Sequence, residues 1–218
     1  MKKVLLIIAA LGLSTTAVAQ SNDRDDMWEF GVLVFNQGGV DLNGADQSSI
    51  DVDNVLAFGV GLAYHFNNHF SLGGELSWSS PDYSAVIIPD DGIGIPETIN
   101  HELSIFSYSF KGTFNLLDGP FTPYAEAGFG WANVDSNIAS QPPITGCWWD
   151  PWWGYICDSF YNTYNKTREF YTGALGLRWD FNNGMSLKGS YGIQELNTSR
   201  STEDATLEQI RVELNWRF

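Results

Sequence analysis

The sequence predicts an all-β fold, an eight-stranded antiparallel transmembrane β-barrel, and three observations lead to this prediction. First, apolar and polar residues alternate with period two in eight segments, the pattern of strands whose two faces meet different surroundings. Second, no segment beyond the first twenty residues is apolar and long enough to be a spanning helix. Third, tight turns and long polar connections alternate between the segments.

The composition describes one globular domain with an acidic charge balance. The 218 residues include 11 Lys and Arg against 26 Asp and Glu, a formal net charge of −15, with 15% aromatic residues and 2 Cys. Aromatic residues at this level argue against disorder, and two cysteines are too few for a miniprotein built on disulfides. We expect no nucleic-acid partner, because affinity for phosphates comes from clustered Lys and Arg.

The amino terminus has the features of a secretory signal peptide. Lys2 and Lys3 form a basic start, residues 4–13 are almost wholly apolar, and Ala17-Val18-Ala19 is a small-residue cleavage site. A transmembrane anchor is disfavoured, because the uncharged stretch is shorter than the ~20 apolar residues of a spanning helix. The sequence therefore predicts a signal peptide at 1–19, a periplasmic amino-terminal segment at 20–27 and a barrel domain at 28–218.

Each of the eight segments has one apolar face. In chain order these faces are Trp28–Val34, Leu56–Phe66, Phe70–Trp78, Phe106–Phe114, Ala125–Trp131, Tyr171–Phe181, Met185–Ile193 and Ile210–Phe218. A soluble antiparallel sandwich would alternate too. However, aromatic residues gather near both ends of the apolar faces, as in the interfacial girdles of membrane barrels. The opposite faces also carry charge at mid-strand, which a sandwich core could hardly bury.

The connections between the segments indicate the orientation of the barrel. Residues 67–69, 118–120 and 182–184 are tight turns rich in Asn, Asp, Gly and Pro. The long polar connections run roughly from 36 to 54, 79 to 101, 134 to 168 and 194 to 207. In an exported barrel this pattern predicts short periplasmic turns and long extracellular loops.

These features, the stretch Pro123–Trp131 and the final Phe218 resemble the small outer-membrane barrels of the OmpA-like and OmpW-like families. The resemblance covers residues 28–218 and implies a bacterial outer-membrane location, with membrane lipid and the outer-membrane assembly machinery as partners. It also implies that this machinery reads the last strand through Val212, Leu214, Trp216 and Phe218. The terminal Phe218 has a second interpretation, that of a last interface anchor, and both roles are compatible.

Charged residues on the inward faces predict an interior filled by ion pairs. The interior of an eight-stranded barrel is just wide enough for side chains, so these charges should pair rather than line a water channel. The predicted network consists of Glu29, Glu75, Lys111, Glu126, Arg178, Lys188, Arg211, Glu213 and Arg217.

The loops carry most of the acidic residues and one unusual segment. The pairs Asp51 and Asp53, and Asp90 and Asp91, lack the full spacing of a calcium loop, so we expect no metal. In an exported protein, Cys147 and Cys157 predict one disulfide. Between them, Trp148, Trp149, Trp152, Trp153 and Tyr155 allow two interpretations: a rigid aromatic contact for an extracellular ligand or surface, and a self-packed loop core.

Two functions remain open from sequence alone. The first is a structural or surface-interaction barrel, and the alternative is an OmpW-like narrow passage protein for small apolar or ionic solutes. Charged mid-strand residues favour the first. We expect neither an enzyme nor a cofactor, because the imidazoles are few and His101, placed at the start of the fourth strand, would face away from Ser104.

Overall fold

The computed structural model of the protein describes residues 23–43, 49–87, 97–142, 144–181, 183–197 and 205–218. The predicted signal peptide and the Asp90 and Asp91 pair lie outside the described residues. In the described part of the chain, no helix is long and apolar enough to cross a membrane.

Most of the described residues lie in strands. These are β1 (Met27–Gln37), β2 (Val40–Asn43), β3 (Ser49–Val52), β4 (Val55–His65), β5 (Phe70–Ser79), β6 (Asp82–Ile87), β7 (Glu97–Glu102), β8 (Ser104–Asn115), β9 (Phe121–Ala139), β10 (Ile144–Asp150), β11 (Gly154–Phe160), β12 (Thr163–Asp180), β13 (Met185–Leu196) and β14 (Ala205–Arg217).

Eight of these strands close an antiparallel barrel in the order β1-β14-β13-β12-β9-β8-β5-β4, and β4 returns to β1. The predicted fold class is confirmed, and the eight alternating segments are the eight barrel strands. The carboxy terminus takes part in closure. The Trp28 amide donates to the Phe218 carbonyl at 3.1 Å, and the Phe218 amide donates to the Trp28 carbonyl at 2.9 Å.

The two faces of the barrel wall differ as the alternation predicts. In β1 the side chains of Phe30, Val32 and Val34 are exposed on the outside, whereas Leu33 and Phe35 are buried inside. Aromatic rings pair on the outside at both ends. Phe66 with Phe70 and Trp179 with Phe181 pair near the short turns, and Trp78 with Phe106 and Tyr108 with Trp131 pair near the long connections.

The first two long connections contain a second sheet that the sequence analysis missed. Strands β2, β3, β6 and β7 pair in that order beyond the barrel rim. Val52, Tyr83 and Leu103 form its buried cluster, packed against apolar residues of the same sheet and of β8 and β9. The placement of His101 at the start of the fourth barrel strand was wrong. His101 lies in β7 of this sheet, and Leu103 separates β7 from β8.

The third long connection is a β-ribbon. β9 pairs with β8 only as far as Asp135, and β12 pairs with β13 only from Phe170 onward. Beyond those residues β9 and β12 continue together to the Ala139 and Thr163 pair. The hairpin of β10 and β11 follows and forms a sheet of its own.

Candidate functional site: the barrel interior and the aromatic hairpin

Two groups of ion pairs fill the barrel, and the structure places all nine sequence-predicted interior residues in them. The turn-side cluster lies near the short turns and comprises Arg24, Glu29, His65, Arg178, Asp180, Lys188 and Arg217. The central cluster lies above it and comprises Glu75, Lys111, Glu126, Arg211 and Glu213. Lys188 connects the two clusters, with its Nζ 3.7 Å from Glu213 Oε2.

Glu29 is the hub of the turn-side cluster. Its carboxylate accepts hydrogen bonds from both terminal nitrogens of Arg178 and lies 2.9 Å from Lys188 Nζ. Arg178 also donates from Nε to Asp180 Oδ1 at 3.0 Å. Glu29, Arg178 and Asp180 have side chains that are at most 1% exposed, so this cluster is shielded from bulk solvent and depends on its own pairing.

Arg24 was missed by the sequence analysis, which treated residues 20–27 only as a periplasmic segment. Its side chain is fully buried, and Nε donates to Asp180 Oδ2 at 2.8 Å. The terminal nitrogens donate to the Asn68 carbonyl at 2.7 Å and to the Gly119 carbonyl at 2.8 Å. Arg24 thus connects the short turns at 67–69 and 118–120 to the end of β12, the strand before the third short turn. A single Arg between acidic residues is the only signal of this role in the sequence.

We expect Arg24→Ala to lower the free energy of unfolding by about 1 to 3 kcal/mol, because the turn carbonyls lose a charged donor. Arg24→Lys should recover only part of this loss, since one ammonium cannot contact both turns and Asp180 together. Urea unfolding in micelles measures the effect. Equal stability of Arg24→Ala and wild type would contradict this role.

The central cluster joins four strands across the barrel. Glu75 on β5 accepts hydrogen bonds from Lys111 Nζ at 2.7 Å and from Arg211 Nη2. Lys111 Nζ also lies 3.3 Å from Glu126 Oε1, and Arg211 donates to Glu213 at 3.3 Å. Gly128 leaves room for the lysine stem, because a Cβ at this position would come within 2.8 Å of Lys111 Cγ.

A cavity of about 50 Å³ lies between the two clusters, bordered by Glu29, Glu75, Lys111 and Lys188. Such a volume holds only a few water molecules. The Asn215 side chain also borders it, and its amide nitrogen is buried without a protein partner in the described residues. The interior in this conformation is therefore a packed polar core rather than an open pore.

Two of the three imidazoles, those of His65 and His69, lie beside carboxylates in the described residues. His65 is buried with Nε2 3.4 Å from Glu29 Oε2. The ring nitrogens of His69 contact the Asn115 carbonyl at 2.8 Å and Asp118 at 3.1 Å. The same part of the chain contains no group of three or more His, Cys, Asp or Glu side chains that could hold a metal ion.

The final strand places the four predicted assembly residues on the outside of the barrel. Val212, Trp216 and Phe218 are exposed, and Leu214 is partly exposed. Their inward-facing neighbours Arg211 and Glu213 belong to the central cluster. The strand therefore has one face suited to lipid and one that completes the interior ion pairs.

The aromatic hairpin, residues 144–160, has a well-defined turn. Cys147 and Cys157 lie directly opposite each other in the ladder and form a disulfide. Asp150 Oδ1 accepts hydrogen bonds from the amides of Trp152 at 2.8 Å and Trp153 at 2.9 Å. Gly154 has φ +78°, a conformation that glycine adopts without strain.

The rings of the hairpin are exposed to solvent. The exposed fractions are 72% for Trp149, 84% for Trp152, 80% for Trp153 and 68% for Tyr155, and Trp148 is exposed by 40%. A self-packed loop core would bury these rings. Their exposure favours the other sequence interpretation, a contact surface.

We expect the joint replacement of Cys147 and Cys157 by Ser to shift the melting temperature of the barrel by less than about 2 °C. The bridge constrains a hairpin outside the closed wall, so its loss leaves every barrel hydrogen bond in place. Thermal unfolding followed by β-sheet circular dichroism measures this. A large shift would show that the hairpin supports the barrel.

Acidic side chains face each other on the outer sheet. Asp41 and Asp51 are directly opposite in the pairing of β2 with β3. The neighbouring Asp41 carboxylate raises the pKa of Asp51 above its ordinary value. This part of the rim therefore repels anionic surfaces, and it does so more strongly as the pH rises and Asp51 ionises.

Comparisons with known proteins agree with this geometry. Residues 5–218 match the family model described as "Outer membrane protein beta-barrel domain". Neisserial surface protein A superposes with a TM-score of 0.55 at 8% identity, covering 88% of this chain and 97% of that chain. OprG from Pseudomonas aeruginosa superposes with a TM-score of 0.52 at 10% identity, covering 93% and 99%. A comparison with curated proteins found no match.

The two structural neighbours show the fold alone at these identities, whereas the family model covers nearly the whole chain. The sequence-based resemblance to small outer-membrane barrels is confirmed. The chain belongs to the outer membrane protein beta-barrel domain family.

Proposed function

We propose that this protein is a non-conducting, non-enzymatic barrel of the bacterial outer membrane that stabilises the membrane and presents a contact surface outside it. Membership of the family implies the outer-membrane location. The non-conducting role is supported mainly by the two clusters of ion pairs in the barrel interior. Every strand of the barrel contributes to them, namely β1, β4, β5, β8, β9, β12, β13 and β14.

Energetics support a closed interior. Removing one partner of a buried ion pair lowers the free energy of unfolding by about 3 to 5 kcal/mol, because the other charge is left buried without compensation. A conducting path would have to separate several such pairs, including those of Glu29 with Arg178 and of Glu75 with Lys111. The contact role draws on the exposed rings of the aromatic hairpin, since large aromatic side chains dominate binding surfaces.

One observation favours the alternative, a narrow passage protein for small apolar or ionic solutes. A depression of about 630 Å³ lies on the outside of β4, β5, β8 and β9. It shares Leu62, Gly73, Gly74 and Lys111 with the interior cavity. The wall between the two spaces is therefore thin at the two glycines, which have no side chains to close it.

Single-channel recording in planar bilayers distinguishes the two functions. We expect no conductance steps from the purified wild-type barrel in 1 M salt. A variant that lacks residues 144–160 should also be silent, because the barrier lies in the barrel and not in the loops. Regular steps from the wild type would overturn the non-conducting role, and steps from the deletion variant alone would place the barrier in the hairpin.

We propose the outer-membrane assembly machinery as a partner of the final strand. Replacing Trp216 and Phe218 together with Ser should lower the abundance of folded barrel in the outer membrane several-fold. Both a recognition signal and an interface anchor would be lost. The heat-modifiable gel shift of outer-membrane fractions measures the folded form, and Tyr164→Ser in the extracellular ribbon is a matched aromatic control. If the double variant reached the wild-type abundance of folded barrel, this proposal would be contradicted.

A further inference from the structure

The aromatic hairpin is separated from the lipid-facing wall by a polar stretch. The outer face of β9 is apolar up to Trp131, which pairs with Glu169 of β12. The next outward pair is Asn133 with Thr167, which are joined by a hydrogen bond of 3.3 Å between their side chains. Tyr161 and Tyr164 are the exposed aromatic residues of the described ribbon, and tryptophans return only in the hairpin. The chain therefore carries two tryptophan-rich surfaces with a mainly polar spacer between them.

The length of this spacer decides which membrane the hairpin can reach. A regular strand over residues 131–139 would advance by at most roughly 27 Å, or roughly 19 Å in height at a tilt of 45°. Asn137 has φ +55°, and the pairing with β12 shifts register between Thr163 and Asn165, so the real rise is smaller. The headgroup layer on each side of a bilayer is only roughly 7 Å thick. Even a rise of half this height would place the base of the hairpin beyond the headgroups of the bilayer that holds the barrel.

The chemistry of the hairpin tip suits a lipid interface. Indole and phenol rings prefer the headgroup boundary, where an apolar ring is covered and its N–H or O–H stays hydrated. The tip offers few other hydrogen-bonding side chains, and Oδ1 of the Asp150 carboxylate already accepts from the Trp152 and Trp153 amides. A sugar-binding site needs side-chain acceptors as well as donors, and this tip provides few.

The charge of the hairpin indicates which lipid headgroups it can contact. Residues 144–160 include two Asp and no Lys or Arg, and the basic residues of the ribbon, Lys166 and Arg168, lie on β12 below the hairpin. Anionic lipids and sulfated glycans would find no basic side chain in this segment to bind them. A zwitterionic phospholipid has no net charge, so its binding does not require basic side chains. The disulfide and the capped turn also hold the rings in place, which reduces the entropy lost on binding.

We propose that the aromatic hairpin inserts Trp149, Trp152, Trp153 and Tyr155 into the headgroup boundary of a zwitterionic phospholipid bilayer apposed to the outer membrane. This inference rests on the proposed contact function and specifies its partner. The hairpin then bridges two surfaces, with the barrel anchored in one and the rings in the other.

The test uses the full barrel reconstituted in nanodiscs of ordinary lipid and mixed with vesicles of brominated phosphatidylcholine, whose bromine quenches tryptophan that enters the lipid. We expect tryptophan quenching and vesicle co-flotation for the wild type. The joint variant Trp152→Ser and Trp153→Ser should bind vesicles at least about tenfold more weakly, because binding scales with the apolar area inserted. Tyr164→Ser, an exposed aromatic change below the hairpin, should bind as the wild type does.

Each other outcome would overturn the inference. Equal binding by wild type and the joint variant would exclude the tip as the contact. Quenching of Trp152 and Trp153 by brominated lipid placed in the nanodisc would assign the hairpin to its own membrane. Binding of a neutral or sulfated oligosaccharide that needs these tryptophans, without vesicle binding, would indicate a glycan site. Absent conductance combined with absent vesicle binding would remove this inference and leave the non-conducting role intact.

Discussion

Glu29→Gln should lower the free energy of unfolding of the barrel by about 3 to 5 kcal/mol, the range for removing one partner of a buried ion pair. Glu29 is the residue that both Arg178 and Lys188 contact in the turn-side cluster. The cluster holds two acids, Glu29 and Asp180, against four bases, namely Arg24, Arg178, Lys188 and Arg217. Without Glu29 a single carboxylate would face all four cations.

The substitution keeps the shape of the side chain, so the loss reports charge rather than a cavity. Lys188 would retain only Glu213, whose Oε2 is 3.7 Å away. The measurement is urea unfolding of the refolded barrel in micelles. Glu169→Gln is a suitable control, because this residue is exposed at the outer end of β12 and should change stability by less than about 0.5 kcal/mol. A loss below about 1 kcal/mol for Glu29→Gln would mean that water, and not Glu29, compensates the buried cations.

The barrel and most of its interior could be predicted from sequence for a simple geometric reason. Side chains alternate between the two faces of a strand, so a charge such as Lys111 between Phe110 and Gly112 on β8 must face inward if Phe110 faces lipid. Pairing could then be expected from the small interior. The sequence could not predict which carboxylate pairs with which cation. These pairings depend on the stagger between neighbouring strands, for example on Gly61 lying opposite Glu75.

The elements that the sequence analysis missed depend on contacts that leave no periodic pattern. Strands β2 and β3 have four residues each, too few for alternation to be distinguished from chance. Arg24 donates mainly to backbone carbonyls of distant turns, and any residue can provide a carbonyl. Asp180 differs from these elements, because the alternation of β12 does predict it: Asp180 lies on the inward face two residues after Arg178, with which it forms an ion pair.

Leu177→Arg and Thr172→Arg, on the same strand β12, should have very different effects on stability. Leu177 is half exposed on the outer wall between Pro123 and Gly189 of the neighbouring strands. An arginine there would meet hydrocarbon and should cost up to about 2 to 4 kcal/mol, the range at the bilayer midplane. Thr172 lies on the inner face, opposite Gly128. An arginine at this position meets a polar interior, so its cost depends on space and pairing.

Unfolding in lipid vesicles, rather than in micelles, is the appropriate measurement, because only a bilayer has a hydrocarbon midplane. A lipid-soluble, thiol-reactive photoprobe gives an independent readout on single-cysteine changes, since the native cysteines are joined in a disulfide. It should label Leu175→Cys and Leu177→Cys and spare Thr172→Cys and Ala174→Cys. Equal labelling of the two sets, or equal destabilisation by the two arginines, would show that β12 is not embedded in lipid. The inward and outward assignment of every strand would then have to be reversed or abandoned, because all eight are linked by one continuous register.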